Sequence, residues 1–162
     1  MMREFALSER YPILYKGYGE ISVGDRQATR GRTITDGDIT SWCALTGDWF
    51  YLHTDAEAAK ASVFQQVVAP GIMVFAMATG LAVPADSTAI IANYGSDSIR
   101  YPHPTFVGDT IHLEAEVVAK DDKGDDRGVV SLRWQVINQN GVLVCTSVLK
   151  VLVAREVPAY GV

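Results

Sequence analysis

Cysteine is scarce in this chain: Cys43 and Cys145 are the two present in 162 residues, and they lie far apart. That excludes a disulfide framework of the secreted type and reads as two buried thiols in a reducing compartment. Basic charge is also short. With 14 Lys and Arg against 19 Asp and Glu, the net charge is −5. Binding nucleic acid regardless of sequence needs a basic surface, so that class is excluded. A small phosphate-bearing ligand is not, because a few local Lys and Arg can hold it. A long uninterrupted apolar run is missing too. The most apolar stretch, residues 67–83, is broken by Pro70, Gly71, Thr79 and Gly80 and is shorter than a span of about 20 residues, so it reads as a buried helix and not a membrane anchor. Residues 1–10, MMREFALSER, interleave charge with apolar residues and lack the continuous h-region of a signal peptide. A cytoplasmic location is expected. No internal repeat, low-complexity tract or linker divides the chain, which predicts one domain over 1–162 with its core at about 20–154.

What is there is an ordinary globular composition, 48% hydrophobic and 20% charged, in two unlike halves. Residues 35–83 read as helices. Thr35-Asp36-Gly37-Asp38 offers an N-cap with a carboxylate three residues on, followed by the apolar Ile39, Trp42, Cys43 and Leu45. Thr54-Asp55-Ala56-Glu57 repeats that arrangement before a short Ala-rich helix ending near Ser62. Pro70 suits the first turn of a third helix, Gly71–Leu81, which is apolar nearly all round and so is expected to be surrounded by protein.

The second half reads as strands. Ile111, Leu113, Ala115 and Val117 alternate with His112, Glu114, Glu116 and Val118, the period of a half-buried strand. Residues 121–128 form a polar turn, and strands at 129–138 and 142–153 are joined through the hairpin dipeptide Asn140-Gly141. Further strands are expected at 88–101 and 27–34. Helices in one block and strands in another predict an α+β fold.

The segment with chemical content is Thr46-Gly47-Asp48-Trp49-Phe50-Tyr51-Leu52-His53-Thr54-Asp55. On one continuous helix Asp48 and His53 would point about 140° apart. A turn between two helices could instead bring them towards one water, where a carboxylate and an imidazole make a sound acid–base pair. The alternative from spacing alone is that Asp48 ends a helix turn and His53 is a surface residue.

The stretch from Arg32 to Leu81 resembles the signature of the MaoC-like, or R-specific enoyl-CoA hydratase, family. The matching residues are Thr35 with Asp38-Ile39, Thr46-Gly47-Asp48, His53-Thr54-Asp55, Phe64, and Ala69-Pro70-Gly71. The similarity continues through Asp25, Tyr101-Pro102-His103-Pro104, Gly108-Asp109-Thr110 and Asn140-Gly141. It implies a hot-dog fold, an antiparallel sheet wrapped around a central hydrophobic helix, assembled as a homodimer or a multiple of dimers. It also implies reversible addition of water to a 2-enoyl-CoA thioester, giving a 3-hydroxyacyl-CoA. Asp48 and His53 take the catalytic positions, and the Gly71 N–H takes that of the oxyanion donor. A helix N-terminus suits that last role, and Pro70 has no N–H to offer; a plain turn glycine is the alternative. No metal or redox cofactor is implied, since CoA enters as part of the substrate.

Three positions depart from the family pattern: Phe50 and Tyr51 stand where it carries Asn-Pro, and Pro70 where it carries His. These residues are expected to shape substrate binding, unless the two rings point into the core. His112 is expected to be solvated. His103, between two prolines, is expected to be structural, with a place at a site entrance as the alternative. Three scattered His and two distant Cys make no metal-ligand cluster, and Gly17-Tyr18-Gly19-Glu20 lacks the strand–turn–helix context of a dinucleotide site. Two other functions share the fold: a thioesterase using a carboxylate and water, and a non-catalytic acyl-CoA-binding subunit.

Overall fold

The computed structural model describes residues 12–159, so the expectation for the first ten residues lies outside the described residues. The first helix, α1 (Asp36–Thr46), starts where the sequence placed it. Thr35 accepts a hydrogen bond from the Asp38 N–H, and the Asp38 carboxylate reaches back to the Thr35 N–H at 2.9 Å, a closed capping box. Gly47 ends it in the left-handed conformation with φ 78°, a backbone that a side chain resists. Ile39 and Cys43 form its buried stripe, whereas Leu45 is 83% exposed and lies off it.

Two short helices follow, α2 (Tyr51–Thr54) and α3 (Ala56–Ala61). The cap of α3 is one residue later than the sequence pattern suggested. Asp55 accepts from the Glu57 and Ala58 N–H groups, while Thr54 closes α2 with its hydroxyl on the Phe50 carbonyl. The carboxylate, which accepts two amide protons at once, prevails over the hydroxyl as the cap.

The longest helix, α4 (Gly71–Ala82), lies against a six-stranded antiparallel sheet. The strands are β1 (Arg26–Ala28), β2 (Arg32–Thr33), β3 (Ile90–Arg100), β4 (Thr110–Asp122), β5 (Arg127–Ile137) and β6 (Leu143–Ala154). Their order is β1-β4-β5-β6-β3, with β2 also on β4. Alternation in β4 is as read: Ile111, Leu113, Ala115 and Val117 are buried and the residues between them are half-buried. The hairpin from β5 to β6 turns through Gly141 at φ 76°, and the Asn138 side chain accepts from the Asn140 and Val142 N–H groups. The single strand expected at 27–34 is instead two: the Thr29 N–H still donates to the Leu113 carbonyl, but the Leu113 N–H is accepted by the Thr29 hydroxyl in place of a backbone carbonyl.

One face of α4 packs Met73, Val74, Ala78 and Ala82 into the core beside Trp134 and Leu113. Burying each large apolar side chain in this way contributes about 1.5–3 kcal/mol. The expectation that α4 is covered all round fails within one chain, since Ile72 is 47% exposed and Ala76 and Gly80 are also open. Among the described residues, β3 ends the sheet with one edge unpaired and with Ile91 and Tyr94 exposed. No helix among the described residues is long and apolar enough to cross a membrane.

Candidate active site

Residues 67–69, in the link from α3 to α4, hold the site together through their backbone. The Val68 N–H donates to the Leu52 carbonyl on α2, and the Ala69 N–H donates to the Thr105 carbonyl at 2.8 Å. Val68 also bridges to Phe106. α2, the start of α4 and the segment 101–106 are thereby drawn around one hollow of about 360 Å³. Its size lies at the low end of small-molecule sites.

His53 and Gly71 both line this cavity. The His53 ring is half-buried, and its Nδ1 lies 2.6 Å from the Val68 carbonyl oxygen. A carbonyl can only accept, so Nδ1 carries a proton, and in the neutral ring Nε2 keeps its lone pair. The ring is therefore held in one orientation, with Nε2 as its remaining polar atom. Gly71 is the first residue of α4, so its N–H has no acceptor within the helix and sits at the positive end of the dipole. The Tyr101 ring covers it closely: a Cβ on Gly71 would meet ring atoms at 2.9 Å. The other polar side chains on the cavity wall belong to Tyr101, His103 and Thr105, and Phe64, Val74 and Val144 make it apolar.

The remaining sequence-selected residues sit elsewhere. Asp48 follows the Gly47 cap, is half-buried, and takes its N–H to the Thr46 hydroxyl at 3.3 Å. Its carboxylate acts on Cys43, whose thiol is raised above its ordinary value first by burial and then by that charge. Asp48, Phe50, Tyr51 and Pro70 do not line the cavity with His53 within the single chain. Phe50 and Tyr51 are half exposed, and the Phe50 ring meets His53 edge-on at 5.6 Å and Tyr51 at 4.7 Å. Pro70 is buried as the N-cap of α4. His112 is half-buried beside Glu114 at 3.5 Å.

Two residues carry more than the sequence indicated. His103 is on the cavity wall, with its Nδ1 3.0 Å from the Leu143 carbonyl. Asp109 is a buried lock: its carboxylate accepts from the Phe106 N–H and the Gln139 amide, which fixes the segment leading to Tyr101. The Gly-Asp-Thr element was visible as part of the resemblance, but this bracing depends on Gln139, thirty residues away. A second hollow of about 370 Å³ lies between α1 and α4, lined by Arg30, Arg32, Trp42 and Met77 among others, and holds none of the selected residues. Among the described residues no three His, Cys, Asp or Glu side chains converge as metal ligands.

Comparison with known proteins bears on the same region. The model of the MaoC like domain matches residues 21–140. Protein MaoC of Klebsiella aerogenes is 41% identical over 98 residues, which is 60% of this chain and 29% of that protein. The present chain thus corresponds to under a third of that relative's length. A 3-hydroxyacyl-thioester dehydratase Z of Mycobacterium tuberculosis is 29% identical over 115 residues, 64% of this chain and 76% of that one. Among solved structures, a monoamine oxidase regulatory protein from Archaeoglobus superposes with a TM-score of 0.80 at 36% identity, covering 88% of this chain and 95% of the other. Sheet, central helix and matched sequence agree: the chain belongs to the MaoC-like domain family and has its α+β hot-dog fold.

Proposed function

We propose that this protein is a hydratase/dehydratase of acyl thioesters, adding water reversibly to a 2-enoyl-CoA to give the 3-hydroxyacyl-CoA. The observation that supports it most is the shared cavity of His53, poised with a free Nε2, and Gly71, opening α4. In the hydration direction, His53 Nε2 takes a proton from water as the oxygen bonds to the β-carbon. The π electrons move towards the thioester, and the Gly71 N–H holds the enolate oxygen that forms. A proton then reaches the α-carbon, with Asp48 proposed as the second acid–base group. Family relatives named as dehydratases of 3-hydroxyacyl thioesters support the same chemistry. Phe50 and Tyr51 are proposed to set acyl preference by shaping the turn that carries His53, and Pro70 by capping α4 directly before Gly71. The two buried, unpaired thiols fit a cytoplasmic setting.

The open face of α4 and the unpaired edge of β3 support assembly as a homodimer or a multiple of dimers, because each is a ready template for association. Light scattering should return an even-numbered oligomer, and a stable monomer at micromolar concentration would refute this. One observation favours a second reading, a non-catalytic acyl-thioester-binding subunit: Asp48 does not line the His53 cavity within one chain. Turnover of 2-enoyl-CoA and 3-hydroxyacyl-CoA panels separates the two, with free-thiol release reporting thioesterase action. Asp48→Asn and His53→Asn should each lower turnover about a hundredfold with the fold intact. Near-parent turnover in either variant removes that residue from the mechanism, and binding without turnover by the parent establishes the second reading.

A further inference from the structure

The cavity that contains His53 has a second imidazole on its wall. His103 is exposed where His53 is half-buried, so the two mark the outer and inner parts of one hollow. The other polar side chains there are those of Tyr101 and Thr105, and no Asp, Glu, Lys or Arg lines it. A ligand in this cavity is therefore met by hydrogen-bonding side chains and apolar walls, with no carboxylate, ammonium or guanidinium among them.

The state of His103 follows from its partner. Its Nδ1 lies 3.0 Å from the carbonyl oxygen of Leu143, the first residue of β6. Because a carbonyl only accepts, the proton is on Nδ1, and Nε2 is left as the ring's one remaining polar atom, an acceptor in the neutral ring. The ring is also held in place. Pro102 and Pro104 flank it; Pro104 biases His103 itself towards extended backbone, and the Leu143 contact ties it to a strand. An acceptor fixed in this way loses little further freedom on binding.

We propose that His103 binds the thiol-carrier arm of the substrate, its Nε2 accepting a hydrogen bond from an amide N–H of the pantetheine chain. The acyl part of a thioester must reach His53 and Gly71, so the arm occupies the outer part of the cavity, and its secondary amides supply the donors that a neutral acceptor selects. This rests on the acyl-thioester reading above and adds a binding residue to it.

The test uses a saturated thioester, hexanoyl-CoA, which has no double bond or hydroxyl to react, and S-ethyl hexanethioate, which has the same acyl group and no amide. Calorimetry on the full chain should show hexanoyl-CoA binding His103→Ala roughly three- to tenfold more weakly than the parent, the range of one neutral hydrogen bond. His103→Gln, which offers an amide oxygen near the position of Nε2, should recover most of the loss. Competition by S-ethyl hexanethioate should be the same for parent and variants. Equal affinity of parent and His103→Ala for hexanoyl-CoA overturns the proposal, as does an equal loss for the amide-free thioester, or no binding by the parent. Failure of the hydratase reading looks different: the binding contrast persists while no 2-enoyl-CoA is turned over.

Discussion

Gly71→Ala tests the tightest contact at the candidate site. Gly71 is not among the glycines with positive φ, so its backbone does not require glycine; the neighbour does. A Cβ there would lie 2.9 Å from Cδ2 and Cγ of Tyr101 and 3.0 Å from Cδ1. Carbon atoms prefer about 3.5–4.0 Å, so the ring must retreat by roughly 0.5–1 Å. Those three atoms are at the base of the ring, which means that it moves as a body and not by a twist of its far end. Overpacking of this kind costs about 1–3 kcal/mol. Tyr101 is 43% exposed and has room to move, which places the cost towards the lower end. Against it stands the preference of a helix for Ala over Gly, at most about 1 kcal/mol. The net expectation is a loss of roughly 0.5–2 kcal/mol, read as a shift of the urea midpoint at unchanged slope. In a Tyr101→Ala background the obstacle is gone, and the same Gly71→Ala change should be neutral or slightly stabilising. The double-mutant cycle should thus show coupling of about 1 kcal/mol or more, above the 0.3–0.5 kcal/mol within which independent sites add. Additivity would refute the reasoning and leave Gly71 as an ordinary first-turn residue.

Other outcomes follow from the same structure. Thr35→Ala should cost about 1 kcal/mol by opening the capping box of α1, measured by urea denaturation. Burial tends to raise the Asp38 carboxyl, but hydrogen bonds from Thr35 and the Arg32 guanidinium outweigh it and hold the value below the ordinary one. Its stabilising contribution is therefore present above the unfolded carboxylate pKa and lost as pH falls through the lower folded value, so the deficit of Asp38→Asn should be seen at neutral pH and vanish in acid. Burial pushes the Cys145 thiol up to about 11 and raises Cys43 as well, so a thiol reagent at pH 8 should react slowly with both in the native protein and rapidly in guanidinium; fast native reaction contradicts the burial. Phe50→Asn, alone and with Tyr51→Pro, should change preference across acyl lengths, since Phe50 packs edge-on against His53; an unchanged profile in both folded variants shows that the rings only pack.

What could be read beforehand was what acts locally along the chain. The Thr35 box, the alternation of β4 and the Asn140-Gly141 turn each depend on residues a few positions apart, so pattern and structure agree. Even there the competition between Thr54 and Asp55 for one cap was settled by which oxygen reaches two amide protons, a matter of geometry. The division of residues 27–34 into two strands was not legible, because it depends on the Thr29 hydroxyl meeting Leu113 across the sheet. Likewise the pattern of α4 shows that it is apolar, but not that one chain leaves Ile72 uncovered. His103 was visible only as a residue in a proline-flanked turn; its cavity position arises from the return of β6 beside that turn.

The motif's chemistry depends on backbone bonds that the motif does not contain. The His53 ring is oriented by Val68 O, which accepts from its Nδ1, and Val68 is in place because its own N–H is held by Leu52 and its neighbour Ala69 by Thr105. Phe106, the neighbour of Thr105, is in turn held by the buried Asp109 carboxylate, which is anchored to Gln139 in the β5–β6 turn. The proton on Nδ1 is thus set by a chain of contacts running from that turn to α2. Asp48 belongs to a different chain of contacts, since its position follows from the left-handed Gly47 that ends α1. The two proposed acid–base groups are carried on separately braced parts of the fold, joined by the short link through Trp49 and Phe50. The bulk of that link at Phe50, which with Tyr51 departs from the Asn-Pro of the pattern the sequence resembles, is therefore the feature most able to change how the groups meet without altering either support.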